Sequence, residues 1–198
     1  MKQNKVIGIT GGIACGKSVV SNYLKNKKFK VIDADKIARE VVKKGNVGYE
    51  KIIDFFGKKI LKKDKSLDRK KLRKIVFNNE KKLDKLEKIT HPLIIDEIFK
   101  KIKKYQKKEN IVFLDCPLLF EMNLEYLVDE IWVVSTSKKN QIDRLVKRDN
   151  TSKEEGLKII NSQMELKLKE KKADVVLTNN DSINDLKKKV DFLLSERI

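Results

Sequence analysis

Gly11-Gly12-Ile13-Ala14-Cys15-Gly16-Lys17-Ser18 fits the pattern G-x-x-x-x-G-K-[ST]. Ahead of it, Lys5-Val6-Ile7-Gly8-Ile9-Thr10 is a short apolar run that reads as a buried strand. Behind it, Val19, Val20, Tyr23 and Leu24 fall at i, i+1, i+4 and i+5, the spacing of a helix face. A glycine-rich turn between strand and helix leaves backbone N–H groups pointing into a hollow at the positive end of the helix dipole, which is a phosphate site. The candidate nucleotide-binding set is therefore Gly11, Gly12, Ile13, Ala14, Cys15, Gly16, Lys17, Ser18 and Val19. Lys17 would reach the β- and γ-phosphates of ATP, and the Ser18 hydroxyl would ligate Mg²⁺.

The rest of the chain supports an α/β reading. Its 198 residues suffice for one α/β core with small additions. Phe29-Lys30-Val31-Ile32-Asp33 alternates and is expected to close a βαβ unit with the first strand. Ile111 to Asp115 and Glu130 to Val134 are continuous apolar runs of the kind found in parallel sheets, and Val175 to Leu177 is a last short strand. A helix is expected over 36–43, another over 138–149, a capping-box start at Ser152 to Glu155, and an amphipathic helix over 182–195. From 48 to 108 the pattern is almost wholly helical, with one helix opening at Ser66-Leu67-Asp68 and another initiated by Pro92. That much helix between two strands exceeds a simple crossover, so it reads as an inserted substrate-binding subdomain.

The formal charge is +18, but the only arginines are Arg39, Arg69, Arg73, Arg144, Arg148 and Arg197. Lysines spread along nearly every helix describe a solvated surface that attracts polyanions without reading them, since base recognition uses Arg forks and aromatic stacks. No stretch of ~20 apolar residues is present, so no membrane-spanning helix is expected. Because the first strand is expected so near the N-terminus, no signal peptide is expected. Cys15 and Cys116 fit no zinc or redox spacing and read as reduced thiols, so a cytoplasmic location is expected.

Several side chains stand out as candidates for chemistry. Asp33 and Asp35 follow the second strand at the edge where open α/β sheets bind ligands; Asp33 reads equally as a helix cap, and a carboxylate here can also take the proton of an attacked hydroxyl. Asp115 is either a Mg²⁺ ligand through water or a cap for the next turn. Cys116 to Glu121, including Pro117 and Leu118, is too apolar for a typical loop and reads as a buried wall or a substrate platform. Gln141, Arg144 and Arg148 share one helix face beside a polar turn, as the guanidiniums of a mobile lid would. His91 is either structural or a substrate contact.

Taken together, these motifs resemble those of the dephospho-coenzyme A kinases. Thr10 to Ser18 match T-G-G-I-x-x-G-K-[ST], and Asp33 to Asp35 match D-A-D ahead of a helix with a basic residue, here Arg39. Leu67-Asp68-Arg69, His91-Pro92-Leu93-Ile94 and Pro117 to Glu121 match L-D-R, H-P-x-I and P-L-L-F-E. Gln141 to Asp149 match Q-x-x-R-L-x-x-R-D, followed by Gln163 and Ala173-Asp174. One departure lies inside the phosphate loop, where Ala14-Cys15 replaces the usual Gly-Ser or similar.

The resemblance implies a three-layer α/β P-loop kinase fold with a parallel sheet. It implies a nucleotide core over 1–35, 109–137 and 171–198, a helical substrate-binding subdomain over 36–108 and a lid over 138–170. The implied reaction is MgATP-dependent phosphorylation of the ribose 3′-hydroxyl of dephospho-coenzyme A. Asp35 would be the base, Lys17, Arg144 and Arg148 would act on the phosphates, and Ser18 and Asp115 would serve the metal. Asp33, Asp35, Arg39, Arg69, His91, Pro117, Leu118 and Glu121 would lie toward the substrate. A monomer or weak oligomer with no specific nucleic-acid partner is expected. Two competing readings are a kinase for another small nucleoside or nucleotide and a nucleic-acid-associated P-loop ATPase.

Overall fold

The fold is that of a computed structural model in which residues 4–77 and 79–197 are described. Strands β1 (Lys5–Gly11), β2 (Lys30–Asp33), β3 (Ile111–Asp115), β4 (Glu130–Ser135) and β5 (Val175–Thr178) form one sheet in the order β2-β3-β1-β4-β5. The pairs β1–β3, β1–β4 and β4–β5 are parallel, with Ile7 opposite Phe113 and Gly8 opposite Ile131. β3 thus stands between β1 and β2, whereas a simple βαβ unit would have placed β2 beside β1. The reason is visible in the side chains: β3 and β4 are buried at every residue, while β2 and β5 carry exposed positions and take the sheet edges.

Two compact units divide the chain, one of residues 1–32 and 104–198, the other of residues 33–103. In the first, Ile7, Ile9, Phe113, Trp132 and Val134 of the sheet pack on Val20 and Leu24 of α1 (Lys17–Asn26) and on Leu186, Val190 and Leu194 of the C-terminal helix (Ile183–Ser195). Phe113 and Trp132 meet edge-on at 5.5 Å, and truncating either aromatic would cost about 3–5 kcal/mol. On the other face Leu119 and Val128 close over Gly8, where a Cβ would lie 3.2 Å from Val128 Cγ1. Strand entries are fixed by carboxylates, since Val6 N–H donates to Asp129 and Ile131 N–H to Asp174, each at 2.7 Å.

The second unit comprises α2 (Ala34–Glu40), α3 (Val47–Phe56), α4 (Arg69–Phe77) and most of α5 (Glu80–Gln106). Its own core joins Tyr49, Ile52 and Phe56 of α3 to Ile60, Leu67, Leu72 and Val76. Asp68 opens α4 by accepting from Lys71 N–H at 3.0 Å, as the Ser66-Leu67-Asp68 start signal predicts. Pro92, expected to begin a helix, instead lies inside the 27-residue α5. The buried Ile94, Ile98 and Ile102 belong to the same continuous helix. α2 also ends earlier than the sequence suggests, at Glu40.

The remaining helices are α6 (Lys138–Asp149), α7 (Lys153–Asn161), α8 (Leu166–Lys171) and α9 (Ile183–Ser195). Ser137, Ser152 and Ser182 cap α6, α7 and α9 through their hydroxyls. Only half of the expected capping box forms at α7, because Glu155 turns its carboxylate to Thr151 rather than back to Ser152 N–H. Among the described residues no helix is long and apolar enough to cross a membrane.

Candidate active site

The loop between β1 and α1 reverses the chain at the carboxyl end of the central strand. Cys15 N–H donates to Gly12 O at 3.2 Å, and Gly16 caps α1 with φ 101° and no side-chain acceptor for the first-turn N–H groups. That leaves the helix end open to an anion. Gly16 is required twice over: its φ lies in the left-handed region, and a Cβ would sit 2.3 Å from Asn179 Nδ2. Ala14 takes φ 60°, a strained choice for a residue with a Cβ.

Three distant side chains hold this loop by its backbone. Gln141 of α6 donates through Nε2 to Ile13 O at 2.9 Å, and Ile13 N–H donates to Gln163 Oε1 at 3.1 Å. Asn179, after β5, donates through Nδ2 to Cys15 O at 2.8 Å. Its own carbonyl accepts from Thr136 Oγ1 and from Arg144, each at 2.9 Å. Arg144 is thereby fixed beside the loop, as its shared face with Gln141 suggests. Arg148 is placed differently: its guanidinium forks onto the neighbouring Asp149 at 2.8 and 2.9 Å. A cavity of about 540 Å³ opens beside Gly12, Gln141, Gln163 and Leu166.

Lys17, the first residue of α1, pairs with the carboxylate of Asp115 at the end of β3. Ser18 is exposed next to it. Beyond Asp115 the chain is held by its backbone, with Cys116 N–H donating to Ile9 O at 3.0 Å and Thr10 Oγ1 donating to Pro117 O at 3.0 Å. Leu118 is exposed, whereas Leu119 and Phe120 are core. Glu121 pairs at 2.7 Å with Lys169, a lysine of α8. Cys15 is fully buried, and that burial pushes its thiol up to about 11 against the downward pull of backbone N–H groups and of Arg144.

In the second unit, Asp33 caps α2 by accepting from Lys36 N–H at 2.8 Å, so the capping reading of Asp33 is the one realised. Asp35 lies exposed in the first turn of the same helix. Arg69 reaches back to donate to Arg39 O at 3.3 Å, and desolvation together with the charge of Arg39 lowers its pKa. The Arg39 charge is thus near enough to be felt by Arg69, although the contact itself is to the Arg39 backbone. His91 is half-buried within α5.

Asn179 and Lys169 carry no motif-level signal. Asn179 follows a strand like any turn residue, and Lys169 is one lysine among many. The usable hint was periodicity, since Lys169 stands three residues after Leu166 on a short helix.

The family model described as Dephospho-CoA kinase matches residues 5–185. The chain belongs to the dephospho-CoA kinase family. It is 47% identical over 192 residues to the dephospho-CoA kinase of Carboxydothermus hydrogenoformans, covering 96% of this chain and 93% of that one. To the Fusobacterium nucleatum dephospho-CoA kinase it is 48% identical over 186 residues, covering 94% and 95%. Among solved structures, dephospho-CoA kinase from Campylobacter jejuni superposes with a TM-score of 0.69 at 32% identity, covering 100% of this chain and 98% of that one. A Thermus thermophilus protein superposes at 0.85 with 29% identity, covering 98% of each chain. Shikimate kinase from Acinetobacter baumannii, at 16% identity and a TM-score of 0.54, shares the P-loop kinase fold. As a dephospho-CoA kinase, the chain catalyses the ATP-dependent phosphorylation of dephospho-CoA in coenzyme A biosynthesis.

Proposed function

We propose that the phosphoryl acceptor is the ribose 3′-hydroxyl of dephospho-CoA and that Asp35 takes its proton. The observation that supports this reading is the use of an Asp33 oxygen as the N-cap of α2, which favours Asp35 over Asp33 as the base. The hydroxyl oxygen attacks the γ-phosphorus as its proton passes to the Asp35 carboxylate, and the bond to the β–γ bridging oxygen breaks to release ADP. Charge accumulates on the transferring group. Backbone N–H groups of the loop from Gly11 to Val19, Lys17, and the guanidiniums of Arg144 and Arg148 neutralise it. For Arg148 this requires leaving Asp149.

Ser18 and Asp115 offer a hydroxyl and a carboxylate, hard oxygen donors suited to Mg²⁺. Among the described residues no group of three or more His, Cys, Asp or Glu side chains could hold a metal ion. When bound, the ion would supply positive charge that offsets that of the phosphates. On the substrate side, Arg39 and Arg69, joined through the Arg39 carbonyl, suit the diphosphate of dephospho-CoA. His91 in the same unit, and Pro117, Leu118 and Glu121 in the nucleotide-binding unit, are further candidates for substrate contact. Residues 36–108 form the substrate-binding part and 138–170 the lid over a nucleotide core of 1–35, 109–137 and 171–198. The enzyme works in the cytoplasm as a monomer or weak oligomer.

Asp35→Asn should lower kcat by ~10²-fold or more with ATP affinity preserved, while Asp33→Asn, which keeps a capping side chain, should retain most activity. Mass analysis and phosphorus NMR of the product identify the position phosphorylated. Near-normal kcat in Asp35→Asn with loss in Asp33→Asn would exchange the two roles.

A further inference from the structure

Lys169 has no exposed surface, while the other lysines among the described residues are at least partly exposed. Its ammonium lies 2.7 Å from Glu121 Oε1 and 3.0 Å from Pro117 O. The Pro117 carbonyl also accepts from Thr10 Oγ1 at 3.0 Å, and Glu121 Oε1 accepts from Met164 N–H at 3.3 Å. One buried cation thus ties α8 to both ends of the segment that follows Asp115. The next residue, Glu170, accepts from Ser135 Oγ at the end of β4, so α8 is itself anchored to the sheet.

Burying an ammonium and a carboxylate is an expensive way to join two segments. Well-packed apolar side chains of similar volume usually hold a protein together as well or better. A function for the charge is therefore to be sought in geometry, and the geometry lies next to the phosphate site. Pro117 is two residues beyond Asp115, whose carboxylate pairs with Lys17, the first residue of α1. Three residues before α8, Gln163 holds Ile13 N–H of the loop itself.

We propose that Lys169 is a positioning residue for phosphoryl transfer: by fixing the Pro117–Glu121 turn it holds the Asp115 carboxylate in register with Lys17 and Ser18. This rests on the assignment of Asp115 to the phosphate and metal site. Nothing else in the proposal requires Lys169 to touch a substrate.

The test is a double-mutant cycle of K169M with D115N in the full-length enzyme, reading kcat, both KM values and the Mg²⁺ concentration for half-activation. K169M alone should lower kcat by ~10–10²-fold, the cost of displacing a group in the site by about 1 Å, and raise the Mg²⁺ requirement, with KM for ATP within about twofold. In the presence of D115N, K169M should cost little further, because the group it positions is already gone. The same fold-loss with and without D115N would overturn the proposal. If D115N alone kept full activity and an unchanged Mg²⁺ requirement, the proposal would fall with the Asp115 assignment, a result distinct from additivity. Should K169M fold poorly, K169M/E121Q removes both charges at once. With its melting temperature recovered, kcat should stay low and remain coupled to D115N. Recovery of kcat together with stability would make Lys169 merely structural.

Discussion

The Lys17 ammonium, at the start of α1, rests on the Asp115 carboxylate at the end of β3. Both side chains are largely shielded, at 18% and 9% exposure, so the contact is more than a surface ion pair. It joins the cation proposed for the β- and γ-phosphates to the carboxylate proposed for the metal, and on that proposal nucleotide binding would draw Lys17 off Asp115.

Lys17→Ala should lower kcat by ~10²–10³-fold through loss of charge at the phosphates. It also leaves Asp115 without its partner, so urea denaturation should show a loss of about 1–3 kcal/mol while the circular dichroism spectrum stays native. Full turnover by a folded Lys17→Ala enzyme would remove the phosphate-loop assignment.

Arg144 and Arg148 should both matter chiefly for kcat, since charge on the transferring group peaks in the transition state. Arg144→Ala should lose ~10²-fold in kcat and also loosen the loop, because Arg144 holds the Asn179 carbonyl. For Arg148→Ala, a rise only in the KM for dephospho-CoA would show that the guanidinium on Asp149 never joins the clamp.

Ala14→Gly should stabilise the protein by about 0.5–1 kcal/mol. At φ 60° alanine suffers the steric cost of the left-handed region, and glycine relieves it at the expense of a more flexible unfolded chain. The midpoint of urea unfolding should rise, and an unchanged or lower midpoint would show that the loop relaxes around alanine.

Cys15 makes stability depend on alkaline pH. Its folded pKa of about 11 lies above the ordinary 9.0, so the folded state holds the proton more tightly than the unfolded one. The contribution is fully present below about pH 9 and is lost as pH rises toward 11; two pK units correspond to about 2–3 kcal/mol. Wild type should lose that much stability across this window relative to Cys15→Ala. Parallel pH curves for the two proteins would mean that the thiol is less buried than its surroundings indicate. The native thiol should also resist alkylation at pH 8, because only its thiolate reacts.

Local chemistry was legible in the chain wherever neighbours in sequence decide the outcome. The loop from Gly11 to Ser18, the buried runs that became β3 and β4, and the α6 span of Lys138–Asp149 all follow from short-range pattern. So do the serine caps at 152 and 182 and the capping role of Asp33, since a cap and its N–H lie two or three residues apart. What only the tertiary structure decided was which distant groups meet. The order β2-β3-β1 depends on how thoroughly each strand can be buried, a comparison across the whole sheet. Pro92 fits within a continuous α5, although its missing N–H argues locally for a helix start. Gln163 and Asn179 hold the phosphate loop from 150 and 164 residues away, through backbone groups that leave no imprint on residue spacing. Lys169 became a buried cation rather than another surface lysine because Glu121 and the Pro117 carbonyl converge on it, and that convergence exists only once the sheet has brought α8 and the end of β3 together.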